Sequence, residues 1–232
     1  MKLALMGDIH GNIQALRAVL DAATGENIEK LLITGDLVGY YFSPLEVVEL
    51  LQEWDIEIVR GNHEEMLKTA RKDPNYLLSV DARYGTGLRV AFEQLSPEQI
   101  DRLCELKHPL NLSFDGIKIL LCHGSPWDLD QYVYPNSENT LITKCANGHY
   151  DLVVLGHTHY PMQFMIGSTC LVNPGSVGQP RNRVPGAHWA IFDTETRSIE
   201  FRCESYDMTD LIRECKERHP NLPYLANVLE RI

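Results

Sequence analysis

A short apolar run at residues 3–6 leads directly into the sequence MGDIHGN, which occupies residues 6–12. Asp8 supplies a carboxylate and His10 supplies an imidazole two positions later, and a glycine stands beside each of them. Glycine lets the backbone turn sharply at such a point. A single Asp-x-His pair also occurs in ordinary polar turns between a strand and a helix. Its meaning therefore depends on the rest of the chain.

The same arrangement recurs at four further places. Apolar runs of strand length at 31–33, 56–59, 117–122 and 152–155 each end near a residue that can bind a metal ion. The residues at the five ends are Asp8, His10, Asp36, Asn62, His63, His123, His157 and His159. Ligands of α/β sheets bind beyond the carboxyl ends of the strands. We therefore predict that five strands bring these side chains to one edge, where they form a functional site.

The remaining pattern predicts an α/β fold. Helices at 13–23 and 44–51 separate the first three strands, so the first half is predicted to be a parallel, doubly wound unit. Residues 64–106 are predicted to be mainly helical, with a helix that starts at Pro97.

The second half is predicted to be rich in hairpins. They are expected around 115–116, between 162–166 and 169–172, and between 188–193 and 198–203. Residues 138–147 and the tail from 207 have helical character. No linker, repeat or low-complexity segment divides the sequence, so a single domain over 1–232 is predicted.

The net charge of the chain is −11, which argues against a nucleic-acid groove and against an anionic membrane surface as partners. It does not exclude a small phosphorylated substrate, because bound divalent cations reverse the sign of the charge locally. The six cysteines include no Cys-x-x-Cys pair and fit free thiols in a reducing compartment. With no signal-peptide pattern and no apolar run near ~20 residues, the sequence predicts a cytoplasmic protein. A homo-oligomer is compatible with it.

The predicted ligands combine carboxylates, one amide oxygen and several imidazoles. Such a set suits manganese, iron, zinc, cobalt or nickel better than magnesium or calcium, and manganese is the ion expected first. Cys122 is not included, because alternation along a strand points it away from the side of His123. Seven ligands are too many for one tetrahedral ion and fit two divalent ions that share a carboxylate. Two metal ions about 3.5–4 Å apart can hold both the attacking and the leaving oxygen of an in-line displacement.

Taken together, the five blocks resemble the signature of the calcineurin-like metallophosphoesterases, in the same order along the chain. The blocks are Gly7-Asp8-Ile9-His10, Gly35-Asp36, Gly61-Asn62-His63-Glu64, His123-Gly124 and Gly156-His157-Thr158-His159. The sequence NPGSVGQPR at 173–181 resembles a segment of the small bacterial and archaeal branch of that family. The resemblance implies a four-layer α-β-β-α sandwich with two mixed β-sheets.

The resemblance also implies a role for each block residue. The implied metal ligands are Asp8, His10 and His159 for one ion, Asn62, His123 and His157 for the other, and Asp36 as the bridge between them. His63 is implied to be a general acid beside the metals. The implied reaction is hydrolysis of a phosphodiester or phosphomonoester by a hydroxide that bridges the two ions.

The second block departs from the pattern of two related groups. Animal protein phosphatases and symmetrical dinucleoside tetraphosphatases continue this block with an arginine that grips phosphate, whereas this chain reads LVGYY at 37–41. Protein-phosphatase activity is therefore doubtful. Arg181 is the candidate for the missing substrate-binding charge, and the alternative is a solvated loop residue.

The sequence leaves open the substrate, the class of protein and the role of one loop. The substrate of the hydrolase is a simple phosphate ester or, alternatively, a dinucleoside polyphosphate or a phosphoprotein. A reading of another class is a non-catalytic protein-binding scaffold of the same fold, which predicts missing ligands or a missing acid. A third reading is a metallo-hydrolase that acts on something other than phosphate, which only the family resemblance disfavours. The aromatic loop 124–137 is interpreted either as a lid over the site or as a loop packed by its own side chains.

Overall fold

The computed structural model describes residues 1–146 and 148–232. The strands in these residues are β1 (Lys2–Met6), β2 (Lys30–Ile33), β3 (Ile56–Ile58), β4 (Leu110–Phe114), β5 (Ile117–Leu121), β6 (Leu152–Val154), β7 (Met162–Ile166), β8 (Thr169–Asn173), β9 (Ala187–Asp193) and β10 (Ser198–Glu204). The helices are α1 (Ile13–Gly25), α2 (Pro44–Leu51), α3 (Asn62–Ala70), α4 (Pro74–Tyr84), α5 (Gly87–Gln94), α6 (Pro97–Glu105), α7 (Asn139–Cys145), α8 (Thr209–Arg218) and α9 (Tyr224–Glu230).

The first sheet has the strand order β10-β9-β1-β2-β3. Strands β1, β2 and β3 are parallel, as the helices between them require. Strand β9 pairs antiparallel with β1, opposing Phe192 to Leu3, and β10 follows it as a hairpin. The doubly wound first half was therefore predicted correctly, and the last hairpin of the chain extends its sheet into a mixed one.

The second sheet has the order β4-β5-β6-β8-β7. Strands β5, β6 and β8 are parallel, whereas β4 and β7 pair antiparallel at the two edges. The turn between β4 and β5 is made by Asp115 and Gly116, both with positive φ, which confirms the hairpin predicted from this dipeptide.

The two sheets pack face to face through alternate residues of their strands. Leu3 and Leu5 of β1 share a buried cluster with Ile119, Leu121 and other residues of the second sheet. Their neighbours in the sequence point to the opposite face, because side chains alternate along a strand. An inter-sheet core of this kind fixes the relative position of the strand ends that carry the predicted site residues.

Helices cover both outer faces of this pair of sheets. Ala4 and Met6 of β1 contact the buried face of α1, including Leu16 and Val19. On the other side, Cys122 packs with Cys145 of α7 and not in the site of His123, so Cys122 points away from its neighbour His123 as predicted. The layers therefore run α-β-β-α, with two mixed sheets in the middle, and the predicted fold class is confirmed.

Helices α1, α2 and α6 begin where the sequence indicated, at Ile13, Pro44 and Pro97. Asn12 caps α1 by accepting a hydrogen bond from the Ala15 amide at 3.1 Å, and Ser96 with Gln99 forms a capping box at the start of α6. The helix predicted for 138–147 is α7, and residue 147 lies outside the described residues. The single domain over 1–232 stays a prediction. Within 1–146 and 148–232, no helix has both the length and the apolar character that a membrane span requires.

The C-terminal helices α8 and α9 pack on the segment that follows the second block. Leu211 of α8 and Leu225 of α9 are buried against Tyr41 and Phe42. The Tyr41 hydroxyl also donates a hydrogen bond to the Leu225 carbonyl at 3.1 Å. The tail of the chain thereby supports a loop that lies directly beside the site described below.

Candidate functional site

The eight side chains predicted to converge do meet in one buried cluster. Their exposed fractions are 0% for Asp8, His10 and His123, 1% for Asp36, 2% for His159, 3% for His63, 5% for His157 and 7% for Asn62. The five strands that deliver them are divided between the sheets, with β1, β2 and β3 in one and β5 and β6 in the other. The prediction of one sheet edge was therefore incomplete. The site lies where the carboxyl ends of strands from both sheets meet.

The backbone at the strand ends is unusual. Five of these residues have positive φ, namely Asp8 (52°), His10 (54°), Asp36 (56°), His157 (65°) and His159 (62°). Residues other than glycine seldom adopt this left-handed conformation, and a strained residue costs about 1–3 kcal/mol. Hydrogen bonds between the loops hold it in place, such as those from the amides of Asp8 and His10 to the carbonyls of Gly35 and Asp36, at 3.0 and 2.9 Å. The chain is therefore held in the geometry that points these side chains inward.

Two glycines are required because neighbouring groups approach too closely for a side chain. A Cβ atom at Gly178 would lie 1.9 Å from the carbonyl oxygen of Ile9, and one at Gly39 would lie 2.0 Å from Nδ1 of His63. Gly39 also has a φ of 88°. Segment 173–181 thus packs directly against the first block, which explains its place in the site.

Asp8, His10 and His159 bring three hydrogen-bond acceptors together. Nδ1 of His10 donates to the Val38 carbonyl at 3.2 Å, and Nδ1 of His159 donates to the Gln179 carbonyl at 2.6 Å. A carbonyl can only accept, so these nitrogens carry the ring protons and both Nε2 atoms present lone pairs. The two Nε2 atoms are 3.3 Å apart, and Nε2 of His159 is 3.3 Å from Oδ1 of Asp8. Acceptors at this spacing repel one another unless a cation lies among them.

A second acceptor cluster surrounds Asn62. Nδ1 of His123 donates to the Thr34 carbonyl at 2.7 Å, so Nε2 of His123 carries no proton and presents a lone pair. That Nε2 is 2.9 Å from Oδ1 of Asn62, and the same oxygen is 3.1 Å from Nδ1 of His157. Nε2 of His157 is buried and has no hydrogen-bond partner among the described residues. The atoms that could bind a metal ion here are again imidazole nitrogens and an oxygen.

Asp36 lies between the two clusters. Its Oδ2 is 3.7 Å from Nε2 of His10 and 3.4 Å from Nε2 of His123, while its Oδ1 accepts the His63 amide at 2.8 Å. Within the described residues, both Asp8–His10–His159 and Asp36–His123–His157 are close enough to hold an ion. Asp36 is thus placed to contribute to either position.

Burial dominates the protonation behaviour of these groups. It raises the pKa of Asp8 to about 6 and that of Asp36 well above its ordinary value, and it lowers the pKa of His123 and of His157 to about 3. A low-dielectric environment disfavours the charged form of each group. The imidazoles are therefore neutral and available as ligands. A bound cation would reverse the effect on the carboxyl groups.

Glu64 is a buried site residue to which the sequence had assigned no role. Its carboxylate accepts hydrogen bonds from the backbone amides of Asp36, Leu37 and Gly61, at 2.8, 2.7 and 2.8 Å. It therefore ties the second block to the third and holds Asp36 in place. The signal was available, because a glutamate three residues after a helix N-cap often turns back to the cap amide.

His63 is held mainly by aromatic neighbours. Its ring centroid is 4.7 Å from that of His10, 4.8 Å from that of Tyr40 and 5.9 Å from that of Tyr84. Its buried Nδ1 has no hydrogen-bond partner among the described residues. His63 also forms a third close group with His10 and Asp36. His63 is thus placed to act as a proton donor beside the clusters. It is also close enough to His10 and Asp36 to be a metal ligand. Tyr40 was not predicted to be a site residue. Its backbone is left-handed, with a φ of 57°, and this turn places its ring beside His63.

Arg181 and the aromatic loop form the wall of a pocket above the cluster. The pocket has a volume of about 210 Å³ and is lined by Asp36, His63, Tyr132, Arg181 and others. The Arg181 guanidinium donates to the Tyr40 hydroxyl at 3.2 Å and to Oε1 of Gln179 at 3.0 Å. These two hydrogen bonds hold the guanidinium of Arg181 at the wall of the pocket.

Loop 124–137 is packed by its own aromatic side chains and also lies over one side of the pocket. The ring of Tyr132 stacks on that of Tyr134 at 5.5 Å, so the loop is packed by its own aromatics. The same ring lies 4.1 Å from that of His157 and lines the pocket, with 43% of Tyr132 exposed. Tyr132 is therefore a wall of the site.

Two mixed sheets between helices, with buried histidine and carboxylate side chains where the strands end, define a phosphoesterase fold of the calcineurin type. Residues 1–197 match the family model described as the calcineurin-like phosphoesterase superfamily domain, and the chain belongs to this family. The match ends before α8 and α9.

Individual relatives agree with this assignment. The uncharacterised protein MJ0912 of Methanocaldococcus jannaschii is 28% identical over 224 residues, which cover 89% of this chain and 88% of that protein. The phosphodiesterase YfcE of Escherichia coli is 24% identical over 209 residues, covering 86% and 91%. The crystal structure of a metallophosphoesterase from Sphaerobacter thermophilus superposes with a TM-score of 0.80 at 25% identity, covering 100% of this chain and 98% of the other.

Proposed function

We propose that this protein hydrolyses phosphate esters, with phosphodiesters as the first expected substrates, and that it depends on two divalent transition-metal ions. The single observation that carries the proposal is the set of facing acceptors at Asp8, His10 and His159, in which both Nε2 atoms present lone pairs 3.3 Å apart. A positive charge among them removes the repulsion. The name of the E. coli relative YfcE, a phosphodiesterase, supports the choice of diesters.

The residues present fit two ions. The proposed ligands are Asp8, His10 and His159 for one ion, Asn62, His123 and His157 for the other, and Asp36 for both. Mixed nitrogen and oxygen donors suit manganese, iron, zinc, cobalt or nickel. Manganese is the ion proposed first. Hydrogen bonds from Nδ1 to backbone carbonyls fix the orientation of three of the imidazoles, as such outer contacts do around metal sites.

When bound, the ions would lower the pKa of a water molecule and offset negative charge that develops on the phosphoryl oxygens. The chain's own residues supply the rest. Arg181 binds a phosphoryl oxygen from the pocket wall, and His63 delivers a proton to the departing oxygen. Tyr132 covers the His157 side of the pocket and limits the access of water.

A protein-binding scaffold is the alternative of another class. That reading predicts that ligands or the acid are missing, yet the structure brings all eight side chains into one cluster. Gly39 and Gly178 are closely packed against residues of the first and third blocks, and the left-handed backbone at Asp8, Asp36 and His157 directs their side chains into this cluster. The enzyme is therefore the better supported proposal.

Metal content tests the proposal directly. Protein purified under metal-replete conditions is expected to contain two ions per chain by elemental analysis, and chelation is expected to abolish hydrolysis of bis(p-nitrophenyl) phosphate. Added manganese should restore it better than magnesium, because the site is rich in imidazole. One ion or none, together with activity that chelation does not change, would refute the two-metal proposal.

Replacing Arg181 by alanine is expected to raise KM for phosphate esters by about 10–100-fold, with the metal content unchanged. A hydrogen bond between charged groups contributes about 1.5–3 kcal/mol, and ~1.4 kcal/mol corresponds to tenfold. Arg183→Ala is the matched control, because Arg183 lies in the same loop and is exposed. Equal kinetics of the two variants would show that Arg181 does not bind substrate.

A further inference from the structure

A second cavity adjoins the pocket on the side of the C-terminal helices. It has a volume of about 400 Å³, and its lining includes Arg181, Tyr224, Asn227 and Arg231. Its described lining has two arginines and no acidic residue. In a chain with a net charge of −11, this is a local reversal of sign. Two arginines and an asparagine at a concave surface are suited to an anionic group.

The two cavities share one wall. Arg181 lines both of them, and Gln179, which lines the second, accepts a hydrogen bond from the ring of His159 through its carbonyl at 2.6 Å. The Arg231 guanidinium donates to the Arg181 carbonyl at 2.7 Å, and the Tyr224 hydroxyl donates to the Arg83 carbonyl at 2.9 Å. The end of α9 is thereby fixed to the rim of the pocket.

Volume gives a reason for a substrate to use both cavities. Pockets that bury small organic ligands usually measure about 300–1,000 Å³, whereas the pocket above the cluster has only about 210 Å³. A phosphate group with a few attached atoms fills it. The remainder of a larger substrate must leave the pocket, and the second cavity lies directly across Arg181.

We propose that the second cavity is a subsite for a second phosphate group, so that the preferred substrates are phosphoesters that carry a further phosphate beyond the one being hydrolysed. This inference rests on the proposed function of the first pocket. Arg231 is the residue that gives the subsite its specificity, because Arg181 serves both cavities. Helix α9 and Arg231 lie beyond the residues that match the family model, whereas Gln179 and Arg181 lie within them, so the C-terminal part of the chain completes the subsite.

A matched pair of ligands that cannot be hydrolysed tests the subsite. Propylphosphonate and propane-1,3-diylbisphosphonate differ by one phosphonate group and are titrated calorimetrically into the manganese-loaded protein. The bisphosphonate is expected to bind at least about tenfold more tightly, because one added charged hydrogen-bonded contact contributes about 1.5–3 kcal/mol. Its two equal ends alone give a factor of only two.

Arg231→Gln is expected to reduce this preference to the statistical factor of two, and Arg231→Lys to retain most of it. The control is Arg213→Gln, since Arg213 pairs with Asp210 on the exposed face of α8 and lines a different groove. A wild-type preference near two, or a preference that survives in Arg231→Gln, would overturn the subsite. Hydrolysis of bis(p-nitrophenyl) phosphate is measured in parallel, because its absence in the wild type would refute the proposed function and leave the binding comparison intact.

Discussion

Asp36→Ala is expected to lower kcat by at least about 10³-fold and to release both metal ions. The Asp36 carboxylate is the group that reaches both clusters, with Oδ2 3.7 Å from His10 and 3.4 Å from His123. Its loss removes a shared ligand, and several kcal/mol of charge stabilisation at ~1.4 kcal/mol per tenfold give this size of effect. The measurement is elemental analysis of the variant beside steady-state kinetics.

The comparison with single terminal ligands makes the test specific. His10→Ala and His123→Ala each remove a ligand of one ion and are expected to reduce activity less than Asp36→Ala. Asp36→Asn keeps the shape of the side chain and the acceptor for the His63 amide, so it separates loss of charge from loss of folding. An Asp36→Ala protein that folds and keeps most of its metal and turnover would show that Asp36 does not bridge.

His63→Ala is expected to retain both ions and to lower kcat by about 10²–10⁴-fold for alkyl phosphate esters, the usual contribution of a general acid. For nitrophenyl esters the loss is expected to be about tenfold or less, because a nitrophenolate leaves without protonation. His63 lines the pocket together with Asp36 and Arg181, so its ring lies where the phosphate ester is proposed to bind. Single-turnover kinetics establish that chemistry limits the rate.

Two results would contradict this role. An equal loss for both leaving groups, with the metals intact, would make His63 a phosphate-binding residue. Loss of metal would make it a ligand, as its closeness to His10 and Asp36 allows. His63→Gln serves as a second variant, since it fills more of the buried space than alanine does.

The strands and the identity of the clustered side chains were predictable from the sequence. Strands covered on both faces are continuous apolar runs, and each such run here ends at a polar residue whose chemistry suits a buried site. The placement of His123 and of His157 in one site follows from that local pattern. Alternation along the strand likewise identified Cys122 as pointing the other way.

The division of the strands into two sheets was not contained in that local pattern. Which strands pair is decided by residues far apart in the chain, such as those of β1 and β9, and local propensity carries no information on such long-range pairing. Tyr40 was missed for a related reason, because its contact with His63 follows from a left-handed turn. Arg231 reaches the rim only because α8 and α9 fold back onto Tyr41 and Phe42.

The left-handed residues at the strand ends set stability against activity. Glycine adopts this conformation freely, and its flexibility in the unfolded chain costs only about 0.5–1 kcal/mol, against about 1–3 kcal/mol for a strained residue. A glycine at His157 or His159, whose φ values are 65° and 62°, would thus relax the turn while deleting a side chain of the cluster. Selection for thermal stability alone would favour replacement of these residues and loss of activity. Substitutions that raise stability without loss of activity therefore have to be sought at other positions.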